Sequence, residues 1–558
     1  MAIASVLREK LAKMRQQAEE RNVQRKAEKL GYPYADLKGK PISVDALALI
    51  KEKDARAAYA AVIEAKSGKA VLLVLDPALP QTQKVIEDLK NNNYQIVVYL
   101  ASLNSLRMAW DFYKFTSEEL KEITAKIEIE ESRLIELKNT LVSLESVRES
   151  LKNLQETRNI RTGEILEVIL AGAMANRASD IHLEQEEDFV KLRLRIDGAL
   201  HDVFDRIRAN VYLYLLSRIK LLSGMKLNIH NEPQDGRFSV GLSGKEIEMR
   251  VAISPTEFGE VTVMRLLDPD LVNLSLADLG LRDDDLGIVT EELRKPNGMI
   301  LNSGPTGSGK TTTLYAFLKH KKTPELKIIT IEDPVEYHLE GIEQTRVDED
   351  AGYTFANGLR SIMRQDPDII LVGEIRDEET AQIAIQSALT GHLVFSTVHA
   401  NAAAGVVPRL VDLGARVFSV GPALNLVIAQ RLVRRLCLDC KKQKTVDDGL
   451  RKKIEKFLDN LPPRVNKENF KNIAIFEPQG CEKCNQFGYR GRIAVYELLS
   501  VGSEMEELIT AAASEVKIQE FAERRGMVTM QQDGILKIIN GITSVEEVES
   551  VTGPLEWG

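Results

Sequence analysis

The stretch GPTGSGKTTT, Gly304 to Thr313, decides the fold. It satisfies G-x-x-x-x-G-K-[ST] over Gly304–Thr311. An apolar run, GMILNSG, leads into it, and a helical pattern follows. This strand–loop–helix context separates a phosphate-binding loop from a Gly-rich turn that fits by chance. The glycines let the backbone wrap phosphate oxygens with its N–H groups, and the helix N-terminus adds a positive dipole. The nucleotide-binding stretch is therefore Gly304, Pro305, Thr306, Gly307, Ser308, Gly309, Lys310, Thr311 and Thr312. Lys310 is expected at the β- and γ-phosphates of ATP, and Thr311 on Mg²⁺.

Outward from this loop, residues 280–430 alternate apolar strands with helices of ten or more residues, the pattern of a parallel sheet. The strands are GMILNSG, KIITIEDP, DIILVGE and HLVFSTVHA. Ligands of such sheets lie at the carboxyl ends of strands. There the chain places Glu332, Asp333 and Glu336 after the second strand, and Glu374 after the third. Carboxylates at this position can order Mg²⁺ or polarise a water. Turn and cap chemistry before Pro334 competes for Glu332 and Asp333, whereas a carboxylate ending so apolar a strand as that of Glu374 needs a partner. His392 and His399 bracket the fourth strand. His399, at its carboxyl end, can register a γ-phosphate, while His392, at the far end, reads as a core histidine with a partner.

The rest of the chain divides by pattern. Residues 33–115 alternate helical stretches with the strands KAVLLVLDP and YQIVVYLAS, a small α/β module. From residue 116 to about 158, Leu120, Ile123, Ile127, Leu134, Leu137, Leu141, Leu144 and Leu151 recur at three- and four-residue steps, with Glu130 and Arg148 at two further seam positions. This is either a coiled coil or a single amphipathic helix lying on a neighbouring domain. Residues 160–270 open with a helix and continue with SDIHLEQ, VKLRLRIDG, GRFSVGL, KEIEMRVAIS and EVTVMRLLD, an antiparallel sheet with helices on one face. All four cysteines fall in two pairs, CLDC (Cys437, Cys440) and CEKC (Cys481, Cys484). Four thiolates make a closed tetrahedral site, so structural Zn²⁺ is expected rather than redox chemistry. The basic run RRLCLDCKKQK beside the first pair reads as a solvated rim or a contact to an acidic partner.

Composition narrows the function. The 558 residues carry a formal charge of −9, which argues against a protein whose main partner is nucleic acid. No apolar run reaches the length of a membrane span, and the amino-terminal residues do not resemble a secretory signal. A cytosolic protein without direct membrane insertion is expected.

Taken together, GPTGSGKTTTL, TIEDPVEY, DPDIILVGEIRD and TGHLVFSTVHAN resemble the Walker A, aspartate box, Walker B and histidine box of the ATPases of type II secretion and type IV pilus assembly, most closely the pilus extension ATPases. ASDIHLE, RLRIDG and PQDGR resemble the domain that precedes the core in that family, and GYRGRIAVYELL the region after the cysteines. The resemblance implies a RecA-like core and a PAS-like α+β domain before it. It also implies catalytic roles: Glu336 activating water, Glu374 on the Mg²⁺ side, His399 sensing phosphate, and Arg237 and Arg250 closing over the γ-phosphate. It implies further a hexameric, ATP-hydrolysing motor that drives pilus assembly, peripheral to the inner face of the cytoplasmic membrane, with an inner-membrane platform protein as partner. The rival readings are the type II secretion ATPase and a nucleic-acid translocase. Val261 stands where the family often has a basic residue, so no phosphate role is carried to it. The amino-terminal module lacks the repeated motif with which some relatives bind cyclic di-GMP, and that ligand is not expected.

The expected organisation is an amino-terminal α/β module (1–115), a coiled-coil or helical linker (116–158), the α+β domain (159–272), the ATPase core (273–430), a four-cysteine zinc subdomain (431–500) and a C-terminal helical region (501–558).

Overall fold

The computed structural model describes residues 19–37, 42–66, 68–92, 94–115, 126–128, 136–137, 139–156, 162–242, 245–268 and 274–557. The chain forms two units, Met1–Leu267 and Asp268–Gly558.

The first unit holds two sheets. The smaller contains β1 (Ala60–Lys66), β2 (Lys69–Val74) and β3 (Gln95–Leu100) in that order, with β1 antiparallel and β3 parallel to β2. The helix Pro80–Asn91 makes the crossover, burying Thr82, Val85, Ile86 and Leu89 on one face. Strand β1 escaped the sequence reading because three of the seven residues of AAVIEAK are alanine and the strand breaks its own alternation at a register shift between Val62 and Glu64.

The larger sheet comprises β4 (Lys126–Glu128), β5 (Ala178–Gln185), β6 (Phe189–Ile196), β7 (Ala199–Arg208), β8 (Gln234–Leu242), β9 (Lys245–Pro255) and β10 (Glu260–Leu267), in the order β4-β8-β9-β10-β5-β6-β7. The five strands read from sequence are all present. β7 was missed because two register shifts opposite β6 scramble its apolar period.

The heptad segment differs from a continuous coiled coil. Lys126–Glu128, which includes the seam residue Ile127, is a strand paired parallel to β8. Over Leu144–Glu156 the chain is one amphipathic helix whose seam lies on the sheet's own domain. Leu144, Val147 and Leu151 are buried. Arg148 Nε donates to Val203 O of β7 at 2.9 Å, and Gln155 Oε1 accepts from Arg208 N at 3.2 Å. A Cβ on Gly172 of the helix Thr162–Ala175 would lie 2.7 Å from Val147. Leu120, Ile123, Glu130 and Leu134 lie outside the described residues.

The second unit is built on β11 (Gly298–Ser303), β12 (Ile328–Glu332), β13 (Glu343–Arg346), β14 (Ile369–Val372), β15 (Leu393–Val398) and β16 (Leu424–Leu436). After the short pair β17 (Lys442–Lys444) and β18 (Ile475–Glu477) comes β19 (Tyr489–Ser500). The main sheet runs β13-β12-β14-β15-β11-β16-β19, parallel through β16 and antiparallel at β19. Every residue of β11, β12, β14 and β15 is buried. Period-two alternation then feeds two cores: Met299 and Leu301 pack on one face and Ile300 on the other.

The expected boundary at residue 431 falls inside β16, and that at 500 ends β19. The cysteine-bearing segment is thus an insertion between two neighbouring strands of the main sheet of the second unit, which continues through both. Sequence alone hid this because Gln430 and Arg431, and then Arg434 and Arg435, break the apolar run of β16. Buried charges lock the C-terminal helices to this sheet. Asp533, fully buried, accepts from Arg282 Nη1 (2.6 Å), Lys537 Nζ (2.6 Å) and Tyr496 N (2.8 Å). Arg464 of the insertion joins the same cluster through Asp285 (2.8 Å).

Candidate nucleotide and metal sites

The loop Gly304–Gly309 leaves the carboxyl end of β11 and enters the helix Lys310–Lys321. Gly304, Gly307 and Gly309 have φ of 149°, 80° and 89°, a region closed to most side chains. Space closes it too: a Cβ on Gly304 would lie 2.6 Å from Gln430 O and from Ser308 Oγ. Lys310 Nζ donates to Gly304 O (2.8 Å) and Pro305 O (3.1 Å). Burial pulls its amine below the usual lysine range, and the charge of Arg431 acts in the same direction, against the attraction of Glu374. Thr311 and Thr312 occupy the first turn of the same helix.

Glu374 follows β14, largely buried and within Coulombic reach of Lys310. Its carboxylate is paired with Arg376. His399, at the carboxyl end of β15, places Nε2 3.7 Å from Glu374 Oε2 and is 51 % exposed. Lys310, Glu374 and His399 are thus brought to one edge of the sheet. His392, at the other end of the strand, has Nδ1 3.0 Å from Ser387 O, and serves the fold there.

The acidic cluster after β12 separates into two kinds of residue. Glu332 is buried and hydrogen-bonded by Thr330 Oγ1 (2.6 Å), Tyr315 OH and Gln344 Nε2 (3.2 Å), and burial raises its carboxyl above the usual range. It is therefore a core group rather than one that faces a ligand. Gln344 also donates to Tyr337 O (2.9 Å) and accepts from Leu339 N (2.7 Å). This network fixes the ends of the segment that carries Glu336. Glu336 is half-buried, four residues beyond the strand. Tyr315 and Gln344 gave no sequence signal, since each is an ordinary residue until the fold sets it beside Glu332.

Arg237 and Arg250 lie in the first unit, as direct cross-strand partners on β8 and β9. Arg265 on β10 stands opposite Arg250. Like charges in register destabilise a sheet, and carboxylates offset this here: Arg265 Nε lies 3.0 Å from Asp180 Oδ1 and Arg250 Nε 3.9 Å from Glu248 Oε1. Arg237 is exposed and Arg250 half-buried.

The four cysteines come together from both ends of the insertion. One sulfur atom of each lies within 4.8 Å of all the others. The pairs Cys437–Cys481, Cys440–Cys484 and Cys481–Cys484 are 3.9, 3.8 and 3.7 Å apart. Thiolates about 2.3 Å from a tetrahedral zinc stand about 3.8 Å from each other, so the cluster fits such an ion. Backbone N–H groups of Cys481 and Gly488 each donate to Cys484 Sγ at 3.2 Å, which supports a charged sulfur.

Comparison with known proteins agrees with this geometry. The family described as "Type II/IV secretion system protein" matches residues 156–550. The chain is 36 % identical over 529 residues to the type IV pilus assembly ATPase PilB of Myxococcus xanthus, covering 94 % of this chain and 89 % of that protein. It is 44 % identical over 388 residues to the type II secretion system protein E of Pseudomonas aeruginosa, covering 70 % of this chain and 75 % of that one. Among solved structures, the Legionella pneumophila ATPase DotB shares the fold at a TM-score of 0.51 and 20 % identity, over 71 % of this chain and 97 % of that one. With its P-loop, its strand-end carboxylate and these relatives, the chain belongs to the type II/IV secretion system protein family and is an ATPase.

Proposed function

We propose that the protein is a hexameric, Mg²⁺-dependent motor ATPase that drives type IV pilus assembly. The observation that carries this choice is coverage: the likeness to the pilus assembly ATPase runs through 94 % of the chain, amino-terminal module included. The higher identity to the type II secretion ATPase, 44 % over the shared region, favours secretion as the second reading. Deletion of the gene in its host separates the two. Loss of surface filaments with exoprotein secretion intact supports assembly, and exoproteins held in the periplasm with filaments intact overturn it.

In this reading the P-loop backbone and Lys310 hold the β- and γ-phosphates. Thr311 and Glu374 would hold Mg²⁺, which would supply neutralising charge for the phosphate oxygens. Glu336 takes a proton from the attacking water as the bond from γ-phosphorus to the β-phosphate oxygen breaks. His399, beside Glu374, reports the γ-phosphate. Arg237 and Arg250 stabilise the charge on the transferring group. A motor of this kind works in the cytoplasm against an inner-membrane platform protein. Among the described residues no helix is long and apolar enough to cross a membrane.

The cysteine cluster holds a structural Zn²⁺ in this reading, because four thiolates leave no open coordination position. Metal analysis in reducing, chelator-free buffer is expected to give about one zinc per chain. Cys437→Ser is expected to lose that metal and to lower the thermal midpoint, since metal binding in such a module is folding free energy. A metal-free wild-type protein with unchanged stability contradicts the assignment.

A further inference from the structure

We propose that Gln430 and Arg431, where β16 passes the P-loop, are positioning residues of the ATPase: Gln430 sets the phosphate-binding backbone and Arg431 ties down the segment that follows His399.

Gln430 is 1 % exposed, and both ends of its amide are engaged with the nucleotide site. Oε1 accepts from Asn302 Nδ2 on β11 at 2.7 Å and from Thr313 Oγ1 in the first turn of the P-loop helix at 2.9 Å. Nε2 donates to Ser308 O, inside the loop, at 2.6 Å. The amide orientation follows from its partners: a carbonyl oxygen can only accept and the Asn302 amide nitrogen can only donate. One side chain therefore joins the strand before the loop, the loop and the helix after it. The main chain takes part as well, for Gln430 O is the atom that a Cβ on Gly304 would strike.

Arg431 continues the line outward. Its Nη2 donates to Asn401 O at 3.1 Å, two residues beyond His399, and its Nη1 to Gln430 O at 3.0 Å. The same Nη1 lies 3.2 Å from the position of a Gly304 Cβ. On the adjoining strand, Glu497 accepts from Ala403 N at 2.8 Å and from Met530 N at 3.3 Å. The His399 loop is thus held at Asn401 and Ala403 by β16 and β19, the two strands between which the cysteine-bearing segment is inserted. A shift of that segment along β16 would reach the P-loop through Gln430 and the histidine loop through Arg431.

The proposal rests on the ATPase reading of the P-loop, and the test separates the two. Steady-state hydrolysis, affinity for fluorescent ADP and thermal midpoint are measured on the full chain. Gln430→Glu is nearly isosteric but sets a second acceptor against Ser308 O. It is expected to weaken ADP binding and raise KM by about tenfold, and the buried carboxylate lowers the midpoint as well. Should Gln430→Glu fail to fold, Gln430→Met, which removes the bonds without adding charge, is read against the same standard. Arg431→Lys keeps the charge but not the fork. It is expected to hold ADP affinity within about twofold and to lower kcat about tenfold, the cost of one charge-assisted hydrogen bond. Wild-type ADP affinity in the Gln430 variant, or wild-type kcat in Arg431→Lys, overturns the corresponding half. A wild-type chain that hydrolyses no ATP defeats the ATPase reading instead.

Discussion

Glu336→Gln is expected to bind ATP with near-normal affinity and to turn it over about 10²- to 10⁴-fold more slowly, the range a positioned general base contributes. The amide is isosteric with the carboxylate and leaves the P-loop, Lys310 and Thr311 untouched, so the affinity should stay. Glu332 is not a substitute base, because it is buried and accepts hydrogen bonds from Thr330, Tyr315 and Gln344. Stopped-flow nucleotide binding and steady-state phosphate release, on the same preparation, separate the two quantities. A variant that hydrolyses at the wild-type rate moves the water-activating role to another group, and Glu374 becomes the first to test.

Arg237→Ala is expected to lose about 10³-fold or more in kcat while still binding nucleotide. Phosphoryl transfer is carried largely by electrostatic stabilisation of equatorial oxygens, and an inserted guanidinium supplies a large share of it. Arg237 is an exposed strand residue. Arg237 and Arg250 are in register on adjacent strands, with Arg265 next in the row. Arg265 is paired with Asp180 and Arg250 lies 3.9 Å from Glu248. Arg237→Lys should recover only part of the loss, since an ammonium cannot offer the planar fork. Wild-type turnover in Arg237→Ala makes that arginine an ordinary surface charge.

How much of this was legible beforehand depended on whether a feature is local. The P-loop was legible because its glycines, lysine and threonine act within one turn of chain. The four buried strands were legible because each is a continuous apolar run between turn signals. The cysteine pairs were legible because metal ligands come in close spacing. Relations between distant segments were not. Gln430 lies in the middle of LNLVIAQRLVRRL, where a lone glutamine in a strand carries no sign that it faces a loop more than a hundred residues earlier. For Glu332 the sequence left turn and cap chemistry and a site role both open, until the fold set Thr330, Tyr315 and Gln344 around its carboxylate. The heptad steps of residues 116–158 were real over Leu144–Glu156, but periodicity states only that a helix has an apolar face. It does not state whether the face meets a partner coil or, as here, the helix Thr162–Ala175 and strand β7 of the same domain. The row of arginines was invisible for the same reason: strand register is a tertiary fact.

The central claim is that the site at Lys310, Glu374 and Glu336 hydrolyses ATP as a motor and not as a nucleic-acid translocase. Phosphate release by the purified full chain, with Mg²⁺ or EDTA and with or without duplex DNA, tests it most directly. The account predicts turnover that requires Mg²⁺, vanishes in Lys310→Ala and is indifferent to DNA. Turnover that persists in Lys310→Ala, or a DNA-stimulated rate that falls steeply with salt, contradicts it.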